Sequence, residues 1–136
     1  MSRPLYIVWN DKNILGIPII DEQHRGMVVL INSFHYSLEK GYKIEKLRPF
    51  RSLLDGYVKI HFQTEEALMI ETEYPELEDH NMKHKELDKK INKIAEEALR
   101  SGNPDVALKF LKEWWLDHIN GADRKFSLYL KSKEKI

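Results

Sequence analysis

The chain has 136 residues, with Lys+Arg and Asp+Glu both at 22 and apolar residues at 42%. That is one domain's worth of chain, with enough apolar content for a core and too much for a disordered segment. The absence of cysteine excludes disulfides, thiolate zinc sites, iron–sulfur clusters and c-type haem attachment, and a formal net charge of zero argues against a nucleic-acid partner, which calls for a basic surplus.

The N-terminus shows no basic segment followed by a long apolar run, so no signal peptide is expected. The apolar stretches 14–20 and 27–31 are too short to span a bilayer. A cytoplasmic protein with no membrane partner is the expectation. The balanced charge and the lack of an obvious exposed apolar stripe point to a monomer.

Pro4, Gly16 and Pro18 mark residues 1–20 as an extended arm. Asp21 is expected to cap the first helix, with Glu22 in its first turn. That helix carries Met27, Val28, Ile31, Phe34 and Leu38 at helical spacing and stops at Gly41. A second run carries Leu47, Phe50, Leu54, Tyr57, Val58, Leu68 and Met69, and ends before Tyr74-Pro75. A third carries Leu77, Leu87, Ile91, Ile94 and Ala98, and ends at Ser101-Gly102-Asn103-Pro104. The last carries Leu108, Leu111, Trp115, Ala122, Phe126 and Tyr129. Strand alternation and solenoid repeats are absent from the sequence. The predicted fold is all-α: an antiparallel up-down-up-down four-helix bundle over 21–131, within a single domain over 1–136.

Each apolar stripe runs through polar residues. His80 and His84 occupy inward positions of the third helix, His61 and Glu65 of the second, His24 of the first and His118 of the last. A buried carboxylate or imidazole without a partner is costly. His24, His80 and His84 lie near the starts of helices one and three. His61, Glu65 and His118 lie near the ends of helices two and four. Antiparallel packing brings all of them to one end of the core. Residues i and i+4 are neighbours on a helix face, so His61–Glu65 and His80–His84 can each grip a common centre. Imidazole and carboxylate without thiolate suit iron, zinc, copper or manganese. Five imidazoles exceed one ordinary site and point to two metal ions. His35 is read as structural or surface, without a histidine or carboxylate partner at helical spacing.

These residues resemble the hemerythrin family, specifically the single-domain bacterial members. The likeness covers essentially the whole chain. It rests on Asp21-Glu22-Gln23-His24, His61-Phe62-x-x-Glu65, His80-x-x-x-His84 and His118-Ile119-x-x-x-Asp123, after an arm with Trp9. The resemblance implies a non-haem di-iron centre that binds O2 reversibly. By that likeness His80, His84 and His118 hold one iron, and His24 and His61 hold the other. Glu65, Asp123 and an oxo or hydroxo group bridge them, and O2 binds end-on at the two-histidine iron. Two ferrous ions, two carboxylates and a hydroxide nearly cancel in charge, which suits a buried site. The resemblance also implies an O2 pocket of Phe62, Trp114, Trp115 and Ile119. Trp115 departs from the usual leucine and is either core filler or a bulkier gate. Phe126 stands where some members carry tyrosine.

Asp123 is the ligand that periodicity alone does not bring in. Five residues after His118 is about 140° around an ideal helix. Five is also the hydrogen-bond interval of a π-helix, and Gly121 lies between. A local distortion of the last helix near Gly121 is therefore expected. Two functions compete with O2 binding: a di-iron redox enzyme acting on peroxide or nitric oxide, and an iron or oxygen sensor. A bundle that holds metal for stability is a third reading. No second Glu-x-x-His pair and no further acid–base group is visible in the sequence. A non-enzymatic protein is the expectation.

Overall fold

In the computed structural model, which describes residues 4–136 except the side chain of Leu47, the chain is four antiparallel helical rods. They are α1 (Pro18–Glu39), α2 (Arg48–Glu71), α3 (Leu77–Ser101) and a composite fourth rod. That rod comprises α4 (Asp105–Asp117), a π-helical segment (His118–Asp123) and α5 (Arg124–Ser132). Short 3-10 turns cover Asp11–Asn13 and Ile44–Leu47. Helix α1 touches α2, α2 touches α3, α3 touches α4 and α4 closes back on α1. That is the ring of an up-down-up-down bundle. No helix is long and apolar enough to cross a membrane among the described residues.

Local chemistry explains the helix ends. Pro18 opens α1, where its missing N–H costs nothing and its fixed φ suits the first turn. Asp21 is therefore not the cap expected from the sequence. Its carboxylate reaches back instead and accepts the N–H groups of Leu15 (2.8 Å) and Gly16 (3.0 Å). A negative charge in the first turn also suits the helix dipole. After α3 comes Gly102 at φ +74°, and its N–H donates to the Ala98 carbonyl. That left-handed cap favours glycine.

The core stripes follow the sequence pattern along α1 to α3. Ile20, His24, Met27, Val28, Ile31 and Phe34 are buried on α1; Leu54, Val58, His61, Glu65 and Met69 on α2; His80, His84, Ile91 and Ala98 on α3. The Leu47 side chain, also assigned to the stripe, lies outside the described residues. The arm is pinned rather than free. Asn32 pairs with both backbone groups of Ile7 at 2.8 Å. Ser127 donates to the Leu15 carbonyl at 2.6 Å, and Leu15 and Ile17 are buried. His35 does have a partner at helical spacing, contrary to the sequence reading. Glu39, four residues on, lies 3.4 Å away, and Tyr6 of the arm stacks on the His35 ring at 4.5 Å.

The last rod departs from α-geometry where the His118–Asp123 interval demanded it. The π segment inserts extra backbone into the ladder, and the inward stripe moves on by one position. Ala122, expected inward, is half-buried, whereas Asp123 is 2% exposed. From there Phe126, Ser127 and Leu130 carry the stripe to the end. Gly121 is exposed in mid-segment and weakens the regular helix. Two inward polar groups, His118 and Asp123, gain partners from the distortion.

Candidate metal centre

All seven residues singled out in the sequence meet at one end of the bundle, and each is at least nine-tenths buried. The five imidazoles converge through Nε2 on the two carboxylates. Glu65 Oε1 lies 2.5 Å from His61 Nε2 and 3.0 Å from His118 Nε2. Its other oxygen lies 2.7 Å from His80 Nε2 and 3.5 Å from His84 Nε2. Asp123 Oδ2 lies 2.7 Å from His24 Nε2 and 2.8 Å from His118 Nε2, and Oδ1 faces His80 at 3.7 Å. Each carboxylate thus spans imidazoles from both sides of the cluster, as a bridge between two cations would.

The donor atoms fall into two overlapping groups that could each hold a metal ion. One is His24, His61, Glu65, His118 and Asp123; the other is Glu65, His80 and His84. Glu65 belongs to both. His118 is grouped here with His24 and His61, whereas the family resemblance gives it to His80 and His84. The cause is local: its Nε2 sits between Glu65 and Asp123 and 3.1 Å from His61 Nε2. Its ring centroid nonetheless lies 5.6 Å from that of His84 and 5.2 Å from that of His61. His118 therefore stands between both groups.

A cation fits this donor set. His84 Nε2 and Asp123 Oδ1 are buried among the site residues without a hydrogen-bond partner. Burial pushes the His84 imidazolium down more than Glu65 raises it, so that ring favours the neutral form with a free lone pair. A buried imidazole nitrogen and a buried carboxylate oxygen, both without a hydrogen-bond partner, are what a metal ion satisfies and a packed core does not.

The charges balance tightly. Burial alone would raise the Glu65 and Asp123 pKa values. For Glu65 the charges of His61 and His118 and hydrogen bonds from both reverse this, and hold it well below the carboxylate range. Burial and the Glu65 charge also oppose ionisation of Asp123. The His118 charge and hydrogen bonds from His118 and His24 keep it low. Burial pulls the His118 imidazolium down, but Asp123 and Glu65 together lift it to about 10. His61 is raised on balance through Glu65 and Asp123, whereas for His24 burial prevails and lowers it.

A pH dependence follows for protein prepared without metal. The raised His118 and His61 contribute fully below the unfolded imidazole value near 6.5, and their contribution fades as pH rises, for His118 through about 10. The lowered His24 and His84 act oppositely, since the unfolded chain takes up protons below about 6.5 that these rings refuse. The depressed carboxylates add a loss only as pH falls through their folded values. Urea midpoints are expected to peak near pH 6.5 and to fall on both sides. Metal binding must displace the imidazole protons, so the midpoint gained on adding metal should grow from pH 6 to pH 8. A flat midpoint between pH 6.5 and 10 would refute the ion-paired cluster.

The aromatic wall is divided. Phe62 stacks on His84 at 3.7 Å between centroids, and Trp114 stacks on His118 at 5.5 Å. Ile119 is fully buried. Trp115 meets the centre differently: its indole N–H donates to the backbone carbonyl of His24 (3.3 Å), and its ring meets Trp9 of the arm at 6.1 Å. A cleft of about 450 Å³ between α3 and α4 is lined by His80, His84, Trp114 and His118, among others, and connects them with solvent. One polar neighbour was not singled out from the sequence as functional. The side-chain amide of Gln23 meets His61 Nδ1 at 2.8 Å from a different helix.

Comparison with known proteins agrees with this geometry. A family profile described as "Hemerythrin HHE cation binding domain" matches residues 15–127. The chain is 29% identical over 130 residues to a bacteriohemerythrin of Stenotrophomonas maltophilia, covering 93% of this chain and 82% of that one. It is 30% identical to a bacteriohemerythrin of Pseudomonas aeruginosa, over 87% of this chain and 77% of the relative. It is 28% identical to a myohemerythrin of Riftia pachyptila, over 90% and 92% respectively.

Proposed function

The chain belongs to the hemerythrin family, and on that ground we propose that it binds O2 reversibly at a centre of two iron ions. The observation that carries the reading is the pair of overlapping donor groups joined through the buried Glu65. In this reading His80, His84 and His118 would hold one ion and His24 and His61 the other, with Glu65 and Asp123 shared between them. Bound iron supplies the reversible electron exchange through which O2 is taken up and released.

The protein's own groups supply the rest. Two carboxylates would offset most of the metal charge at a centre whose ligands are each at least nine-tenths buried. With two imidazoles rather than three in this reading, the His24–His61 position would be the one that takes O2. Phe62, Trp114, Trp115 and Ile119 supply apolar surface around the centre, which suits a small apolar ligand. The donor set is rich in imidazole, which favours a carrier or sensor over a committed oxygenase.

The test is an optical spectrum of iron-loaded protein, reduced anaerobically and then exposed to air. A visible charge-transfer band that forms with O2 and vanishes on its removal is the expected result. Immediate, permanent conversion to a ferric spectrum would favour a redox enzyme acting on peroxide or nitric oxide. A colourless protein that binds no iron would leave a structural metal site.

A further inference from the structure

We propose that Gln23, held by the Tyr57 hydroxyl, is a positioning residue for His61 and sets the affinity of one ion position separately from the other. This rests on the two-ion reading above. Gln23 projects from α1 onto α2. Its Nε2 donates to Thr64 Oγ1 at 3.0 Å, and Oε1 lies 2.8 Å from His61 Nδ1. Thr64 fixes that orientation. Its hydroxyl hydrogen is committed to the Ile60 carbonyl at 2.8 Å, so toward Gln23 it can only accept. The amide must therefore turn its NH2 to Thr64 and its oxygen to His61. An oxygen there requires the His61 proton on Nδ1, which leaves Nε2, the atom facing Glu65, as the ligand atom.

A second contact anchors the backbone beneath. Tyr57 Oη donates to the Gln23 carbonyl at 3.0 Å. The ring can come this close because residue 26 is glycine: a methyl group there would overlap the Tyr57 hydroxyl. Gly26, Tyr57 and Gln23 thus set the α1–α2 spacing beside His61. Among the described residues no other site imidazole has a protein partner on Nδ1, and the Nδ1 of His24 is buried without one. The anchoring is one-sided, so its loss should weaken one ion position and spare the other.

The experiment titrates metal-free protein with Co2+ and follows its visible absorption. The unmodified chain should take up two ions. Gln23→Leu should weaken one of them about 10–100-fold and leave the other unchanged. Gln23→Glu, which still accepts from Nδ1–H, should recover most of the loss. In the cobalt form the exchangeable Nδ1–H proton of His61 should give a shifted NMR signal that persists in Gln23→Glu and is lost in Gln23→Leu. Tyr57→Phe removes one oxygen and keeps the test decisive if Gln23→Leu does not fold; it should weaken the same position by a smaller factor. Equal weakening of both ions, or no weakening in either variant, would overturn the proposal. Failure of the unmodified chain to bind two ions would instead remove the two-ion reading, and this inference with it.

Discussion

Glu65→Ala is expected to abolish two-ion binding and with it any O2-dependent colour. Among the described residues Glu65 is the one common to both donor groups, and its two oxygens face different imidazoles. Without it neither group keeps a carboxylate shared with the other. His80 and His84 lose the only carboxylate within 3.5 Å of them among the described residues. Iron content measured after loading should fall from two ions per chain to at most one. Without metal the variant should also unfold more easily. His61 and His118 owe their raised pKa values largely to Glu65 and Asp123. Removing one partner of a buried ion pair costs about 3–5 kcal/mol. Glu65→Gln keeps the shape and removes the charge; it should lose the second ion with a smaller change in packing. Two ions retained in Glu65→Ala would contradict the bridging role.

Trp115→Ala should be the most destabilising change in the apolar core. The side chain is 2% exposed, meets Trp9 of the arm and donates to the His24 carbonyl. Truncating a buried tryptophan costs about 3–5 kcal/mol through lost transfer energy and the cavity left behind. In a chain of this size that lowers Tm by roughly 10–15 °C. Calorimetry of metal-free protein measures it without interference from bound ions. Trp115→Leu separates the two roles open for this ring. As filler alone, leucine should cost stability and leave O2 kinetics unchanged. As a gate, it should also raise the O2 on-rate and the rate of autoxidation.

The sequence was most legible where chemistry is local. Helix periodicity placed His24, His61, Glu65, His80 and His84 on inward faces, because residues three and four apart share a face whatever the helix packs against. Asp123 was legible only through the family likeness. An ideal helix turns it away from His118, and the π segment that turns it back is stabilised by His24 and His118, partners on two different elements. The start of α1 was misread for a related reason. Asp21 has the chemistry of a cap, but its carboxylate is used by the arm, three residues into a helix that Pro18 already opened. Only the partner of His35 was overlooked, since Glu39 was in plain view at i+4 of the same helix.

By itself, then, the sequence determined the class of fold, the end of the bundle at which polar groups collect and the donor chemistry they offer, because each depends on residue type and spacing within one helix. Tertiary structure decided what lies between helices. It set the phase shift that brings Asp123 inward, the place of His118 between the donor groups and the division of the aromatic wall. It also placed Gln23 on His61 through a glycine that lets Tyr57 approach. Such contacts depend on how helices rotate and slide against one another. That choice is made by the packing of the whole core and is written in no single stretch of chain.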